Sequence, residues 1–226
     1  MIKNSPCRLI FPAVFLMLLA VLAQPAAADV TESPEKPLVG RITVPLLNPS
    51  GMIRVDGLSP ETDQALDTLK MPGIKRLAFF AEPLAWAAFK KGLAGGEASA
   101  LLNYFSFITT ADSLAEQELS VEDFNFFKEA TLNQLQAMAE ASENVEIIGE
   151  GPRWLTYRLA LVKTEADGTE GRAEQITSYV LVNGKVLTLT VTSNDRNQFQ
   201  DQFRPGALTW RDAYLDRTKA DIPASN

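Results

Sequence analysis

Residues 176–193 read ITSYVLVNGKVLTLTVTS. Two β-branched runs meet at Asn183-Gly184, a dipeptide that suits a two-residue hairpin loop with positive φ at both positions. A type I′ turn there sets the register of everything around it. Val182 faces Lys185, Leu181 faces Val186, Val180 faces Leu187, and Tyr179 faces Thr188. Further out, Ser178 meets Leu189, Thr177 meets Thr190, and Ile176 meets Val191. Side chains alternate along a strand, so one face of the hairpin collects Ile176, Val180, Val182, Leu187, Leu189 and Val191. The other collects Thr177, Tyr179, Thr188, Thr190 and Thr192, with Leu181 and Val186 near the turn. A slip of one residue would mix the two sets, which specifies the pairing strongly. The apolar face demands a helix. The Tyr179/Thr188 face has three readings: solvated, thinly covered by the C-terminal helix, or used for binding.

Before and within the hairpin, "NVEIIG" (144–149), "RWLTYRLALVK" (153–163) and "QITSYVLV" (175–182) continue the β pattern, with "GEGP" and the longer "TEADGTEGRA" (164–173) as turns. Upstream lies the clearest helix. Ser120 caps it, Asp123 stands three residues on in a box-like position, and the pattern runs to about Ser142. Phe124, Phe127, Thr131, Leu135, Met138 and Ala139 share one arc at 100° per residue. That arc is the expected cover for the hairpin's apolar face. Lys128 interrupts it, as a stem that can snorkel, while Phe126 lies outside it, as an edge contact or a partner contact. "ADSLAEQEL" (111–119) is an acidic connection.

Nearer the N-terminus, Ser59 and Pro60 mark a helix start over 59–70. Residues 74–82 and 101–110 read as strands, with a short helix over 83–92 and a Gly-rich loop to residue 100. Alternation in the second strand puts Leu102, Tyr104 and Ile108 on one face and Asn103, Phe105 and Phe107 on the other. Short β pieces are expected around Ile42–Leu46 and Met52–Val55, with "NPSG" as the turn between them. After the hairpin, 194–203 is weakly helical, Pro205 breaks the pattern, and 207–219 resumes it with Trp210 and Tyr214 four apart.

The fold class is therefore α+β: a largely antiparallel sheet, its C-terminal part a meander, with helices packed on one or both faces. The order of long helix, antiparallel meander with "YVLVNGKVLTLTVTS", then C-terminal helix resembles the PsbP-like α/β/α sandwich family over roughly residues 120–219. That family includes bacterial exported domains and photosynthetic accessory subunits. The resemblance implies an accessory or binding module more than an enzyme, and it carries over no functional residue.

The first 28 residues form a leader: Lys3 and Arg8, an apolar run from Leu9 to Ala23, then "QPAAA" with Ala26 and Ala28 in the small-x-small cleavage pattern. The apolar run falls short of the ~20 residues that span a bilayer, so no stable membrane anchor is expected after cleavage before Asp29. The organisation read from sequence is a signal peptide (1–28), a flexible polar lead-in (29–39), one α+β domain (40–219) and a tail (220–226). The mature chain has no cysteine, because the only one is Cys7. A disulfide-free exported chain suits a bacterial periplasmic or secreted protein.

Composition narrows the chemistry. Without the leader, 19 basic residues stand against 28 acidic ones, a formal charge of −9, which disfavours nucleic acid and anionic lipid. No histidine occurs anywhere. Ser-His-Asp triads and histidine metal sites are excluded, and thiol chemistry goes with the cysteine. No phosphate loop, Rossmann glycine pattern, nucleophile elbow or Ser-x-x-Lys spacing appears, so no cofactor is expected. Asp112, Glu116, Glu118, Glu122 and Asp123 crowd the approach to the long helix. They could bind a hard cation, but they match no calcium loop, and acids at a helix start are favoured by its dipole. Asp167 and Glu170 in "DGTEG" read as a turn. Trp154 and Trp210 read as core. Three functions follow in order: an exported non-catalytic accessory or interaction protein, with an unknown protein or small-molecule partner; a small-molecule or lipid carrier, with a cavity lined by residues such as Trp154 or Phe105; and a carboxylate-dependent hydrolase.

Overall fold

The computed structural model describes residues 30–67, 72–94, 104–141, 144–164, 170–193 and 203–219. The expected leader with Ala26 and Ala28, the Gly-rich segment 95–103, the turn expected at Asp167, residues 194–202 and residues 220–226 lie outside the described residues.

The Asn-Gly hairpin forms as its chemistry requires. Asn183 has φ 50° and Gly184 φ 74°, and the pairs run from Val182↔Lys185 out to Ile176↔Val191 in the register derived above. Its strands, β10 (Glu170–Val182) and β11 (Lys185–Ser193), are the centre of a seven-stranded antiparallel sheet. Beyond β10 come β9 (Trp154–Thr164) and then β8 (Val145–Gly151) at one edge. Beyond β11 come β7 (Tyr104–Ala111), β6 (Ile74–Ala81) and the two-residue edge strand β5 (Ile53–Arg54). Four shorter strands, β1 (Thr31–Glu32), β2 (Leu38–Val39), β3 (Ile42–Thr43) and β4 (Leu47–Asn48), pair as β1–β4 and β2–β3.

Five helices occur among the described residues: α1 (Pro60–Asp67), α2 (Pro83–Ala94), α3 (Asp112–Ala115), α4 (Val121–Ala141) and α5 (Arg204–Lys219). Local capping explains the start of two of them. Ser59 Oγ accepts from the Thr62 N–H at 3.2 Å. Ser120 Oγ accepts from the Asp123 N–H at 3.1 Å, while the Asp123 carboxylate accepts from the Ser120 N–H and hydroxyl at 2.9 and 2.7 Å. This is the reciprocal box foreseen for α4. Pro205, expected as a breaker, instead stands in the first turn of α5. A missing N–H costs nothing there, because first-turn donors have no partner within the helix. The acidic connection 111–119 likewise contains a helical turn, α3.

The two faces of the sheet are covered the other way round from the expectation. The apolar hairpin face (Ile176, Val180, Leu187, Leu189, Val191) packs against Trp210 and Tyr214 of α5 and against Val39, Val44, Leu46 and Met52 of the N-terminal segment. The arc of α4 lies on the opposite face, where Phe124 meets Leu181 and Val186, and Leu135 meets Leu155 and Tyr157. Leu181 and Val186 beside the turn, extended by Leu155 on β9, make that face apolar enough to hold the helix. The contact fades along α4. Met138, counted in the apolar arc, is 43% exposed, and Leu132 takes part in its place. Lys128 reaches the β8–β9 turn, with Nζ 3.0 Å from the Gly151 carbonyl and 2.9 Å from Glu150.

Residues 30–39 were expected as a flexible lead-in on account of their polar, Pro-containing composition. They are instead paired and packed. Thr31 and Glu32 pair with Asn48 and Leu47, Val39 is fully buried, and Arg217 of α5 forms an ion pair with Glu32. The strap is closed by side chains from α5. Tyr214 OH accepts from the Leu47 N–H at 2.9 Å and donates to the Pro45 carbonyl at 3.1 Å, and Trp210 Nε1 donates to the Leu47 carbonyl at 2.6 Å. Long-range partners of this kind override local composition.

Candidate functional site

The α4-covered face is not covered evenly. At one flank, Trp86 and Phe89 of α2 pack with Leu66 of α1 over Phe79, Phe105 and Phe107. At the other, α4 packs over β8, β9 and β10. Between the two flanks the middle of the sheet opens into a cavity of about 360 Å³, within the range of small-ligand sites.

Strand register places its lining. Thr109 of β7 pairs with Thr188 of β11, which pairs with Tyr179 of β10. One row further, Phe107 pairs with Thr190, Thr190 with Thr177, and Thr177 with Tyr157 of β9. These side chains point to one face and, with Gln175, form the floor and sides. Phe127 of α4 and Leu114 of α3 lean over from the helical flank, and Ile74, Ala111 and Val186 complete one end. The Tyr179–Thr188–Thr190 face is thus neither solvated sheet nor covered by the C-terminal helix.

The walls are held by aromatic contacts. Phe107 stacks on Phe79 and Phe105 with centroids 6.4 and 6.2 Å apart. Tyr179 meets Phe127 edge-on at 5.1 Å, and Tyr157 lies 5.9 Å from it at a tilt. Such pairs fix ring orientation beyond what burial alone supplies. A polar chain runs along the floor. Gln175 Nε2 donates to Thr177 Oγ1 at 2.9 Å, Thr177 meets the Tyr157 phenol, and the two phenol oxygens lie 3.4 Å apart. Burial, with Tyr179 beside it, pushes the Tyr157 phenol far above its ordinary range, so Tyr157 is a neutral hydroxyl at any physiological pH. The hydroxyls of Thr109, Thr188 and Thr190 have no hydrogen-bond partner among the described residues.

Among the described residues, no Asp, Glu, Lys or Arg lines the cavity. Arg76 of β6 pairs with the floor residue Thr109 of β7 and is already engaged, donating to the Leu66 carbonyl at 2.6 Å with Asp67 at 3.5 Å. The acids singled out from sequence do not converge on it. Asp112, Glu116, Glu118, Glu122 and Asp123 are all exposed, and Asp123 is spent in the α4 cap, where bonds from Ser120 hold its carboxyl below the usual range. No group of three or more metal-ligating side chains occurs among the described residues.

The two aromatics named for a carrier cavity lie elsewhere. Trp154 is on the α5 side of the sheet, under the Arg211 guanidinium at 4.0 Å, and Phe105 is stacked 5.5 Å from Phe79 in the α2 flank. Of the residues that line it from the first half of the chain, Thr109 and Phe107 are foreseeable only through the β7–β11 pairing. Alternation within "FSFITT" was visible, but nothing local names its partner strand.

One further buried polar group matters for the site's frame. Lys185, beside the Asn-Gly turn, is 1% exposed, and its ammonium donates to the carbonyls of Ala115 at 2.9 Å and Gln117 at 2.7 Å. The Leu119 N–H donates to the Gly184 carbonyl at 2.8 Å. Together these bonds seat the α3–α4 connection on the hairpin tip and so position Leu114 and Phe127 over the floor. Gly40, at φ 60°, allows the close approach, since a Cβ there would sit 2.5 Å from the Ala115 carbonyl oxygen.

No helix among the described residues is long and apolar enough to cross a membrane. No protein-family model matches the chain, and no curated protein matches it.

Proposed function

We propose that this chain, exported by its leader, works in the bacterial cell envelope as a non-catalytic binding module that takes a small molecule in the cavity between α4 and the α1–α2 flank. The observation that carries the reading is the cavity itself, with stacked aromatic walls over a floor of threonine hydroxyls that have no hydrogen-bond partner among the described residues. Buried or half-buried hydroxyls are normally satisfied, so an open set of them in a concave site favours a ligand that supplies the missing bonds. The absence of histidine, and of any cysteine but Cys7, with no carboxylate or lysine among the described residues of the site, leaves it no evident nucleophile or general base. The PsbP-like element order supports an accessory role in the same sense. The carboxylate-hydrolase reading gains nothing from five exposed, dispersed acids. An interaction role through protein partners has one observation in its favour, Phe126, which is 65% exposed on the outer side of α4.

The experiment is a thermal-shift screen of the purified chain against metabolites, lipids and metal ions. A ligand at a hundred times its Kd raises stability by about 2.7 kcal/mol. Compounds that raise Tm in the natural chain but not in a Thr188→Trp variant, whose indole fills the floor, support the reading. A screen without stabilising compounds, or hits indifferent to Thr188→Trp, overturns it.

A further inference from the structure

We infer that the cavity selects an uncharged, flat ring compound bearing hydroxyl or carbonyl groups, with its polar edge on the threonine floor and its ring between Phe107 and the Phe127–Tyr157–Tyr179 wall. This rests on the binding reading above and specifies its ligand class.

Charge decides first. An ion leaving water for this site would find no free opposite charge among the described residues, because their lining side chains are neutral and the neighbouring Arg76 is occupied by Leu66 and Asp67. An unpaired buried ion is strongly disfavoured. Carboxylates, phosphates and ammonium compounds are therefore excluded relative to neutral ones of equal shape.

Polarity decides next. A wholly apolar occupant would strip water from the hydroxyls of Thr109, Thr188 and Thr190 without replacing its bonds. The ligand must carry acceptors or donors on one side. Hydroxyls both donate and accept, so carbonyl, hydroxyl and ring-nitrogen groups all qualify.

Shape comes from the sheet lattice. Thr188 and Thr190 are two residues apart on β11, about 6.7 Å, and each has a threonine on a neighbouring strand about 4.8 Å away. That mesh spans one or two fused rings. The cavity volume of about 360 Å³ has the same scale, room for on the order of ten waters. The side walls present aromatic rings already fixed by Phe79, Phe105 and Phe127, so little ordering is required on binding.

The test titrates the purified chain at neutral pH with 2-naphthol, naphthalene-2-carboxylate and 2-naphthylmethylammonium, read by protein NMR shifts and calorimetry. The expected result is that 2-naphthol binds at least tenfold more tightly than either ion, and that Thr190→Val weakens it by about five- to tenfold, the loss of one hydrogen bond. Thr188→Val serves as the second variant, because Thr190 is the more buried and its replacement could impair folding. If either ion binds as well as 2-naphthol, or if both folded valine variants bind it unchanged, the inference falls while the binding reading stands. If none of the three probes binds, the inference again falls. The binding reading falls with it only if the thermal screen also finds nothing.

Discussion

Replacing Tyr214 with Phe removes one oxygen and no packing volume, and it tests how the N-terminal strap is held. Tyr214 is fully buried, and burial pushes its phenol far above its ordinary range. The oxygen accepts from the Leu47 N–H at 2.9 Å and donates to the Pro45 carbonyl at 3.1 Å. Leu47 is itself 2% exposed, so its N–H has no water to turn to. A net hydrogen bond contributes about 1 kcal/mol, and leaving a buried donor unsatisfied costs about 1–3 kcal/mol. The expected loss is about 2–3 kcal/mol. For a chain of this size that corresponds to a fall in Tm of roughly 5–10 °C, measured by calorimetry and urea unfolding. The urea m-value should not change, since the folded and unfolded surfaces are the same. Hydrogen exchange at Leu47 should accelerate more than in β10 or β11. Tyr179→Phe is the contrast. Its phenol contact with Tyr157 is long at 3.4 Å, and a loss within about 0.5 kcal/mol is expected. A Tyr214→Phe variant as stable as the natural chain would mean that Leu47 reaches solvent and the strap is not closed.

Other outcomes follow from single features. Gly151→Ala puts a Cβ 2.3 Å from Trp154 Nε1, so the indole must move from beneath Arg211; a loss of about 1–3 kcal/mol with a shifted tryptophan emission is expected. Gly206→Ala meets nothing within 4 Å in the first turns of α5 and should stabilise by about 0.5–1 kcal/mol in the same melts. Lys185→Met leaves two carbonyls without their donor; a loss of about 1–3 kcal/mol and faster amide exchange at Leu119 are expected, with the hairpin register unchanged. Alkaline pH gives a signed test. Tyr157 and Tyr214 keep their protons in the folded chain well above the ordinary value of 10.0, whereas the unfolded chain releases them near it. Stability is therefore intact below about pH 10 and falls above it, by up to about 1.4 kcal/mol per pH unit for each phenol. Tyrosinate absorbance should show these two phenols ionising only with unfolding.

What could be read from sequence was what neighbours in the chain determine. The Asn183-Gly184 turn dictates its own register through φ, and Ser59 and Ser120 cap their helices through bonds spanning three residues. What could not be read was decided by partners far away. The Phe124 arc and the Trp210–Tyr214 pair are both apolar enough for either sheet face, and amphipathicity carries no label for which face a helix takes. Residues 30–39 look polar in isolation, yet Val39 joins the core with Trp210 and Tyr214, and β1 pairs with β4, whose Leu47 bonds to Tyr214 167 positions later. The cavity was half visible. Tyr179, Thr188 and Thr190 share a face in the sequence pattern, but its role depends on Thr109 and Phe107, which arrive through a ladder that no local pattern announces. Pro205 illustrates the smaller error, since a proline in a helical pattern reads as a break or as a beginning according to where the first turn falls.

The β7–β11 ladder has a further consequence. Strands β5 to β7, with α1 and α2, come from the chain before residue 112, while β8 to β11 come from after residue 144, and within the sheet this single ladder stitches the two halves together. The meander is built from neighbours in sequence and can assemble early, whereas the stitch closes a long loop. The cavity straddles the stitch, taking Phe107 and Thr109 from one half and Thr177, Thr188 and Thr190 from the other. Neither half alone contains the site. An occupant would therefore act as a clasp across this seam, and its presence would slow the parting of the two halves more than it would alter either of them.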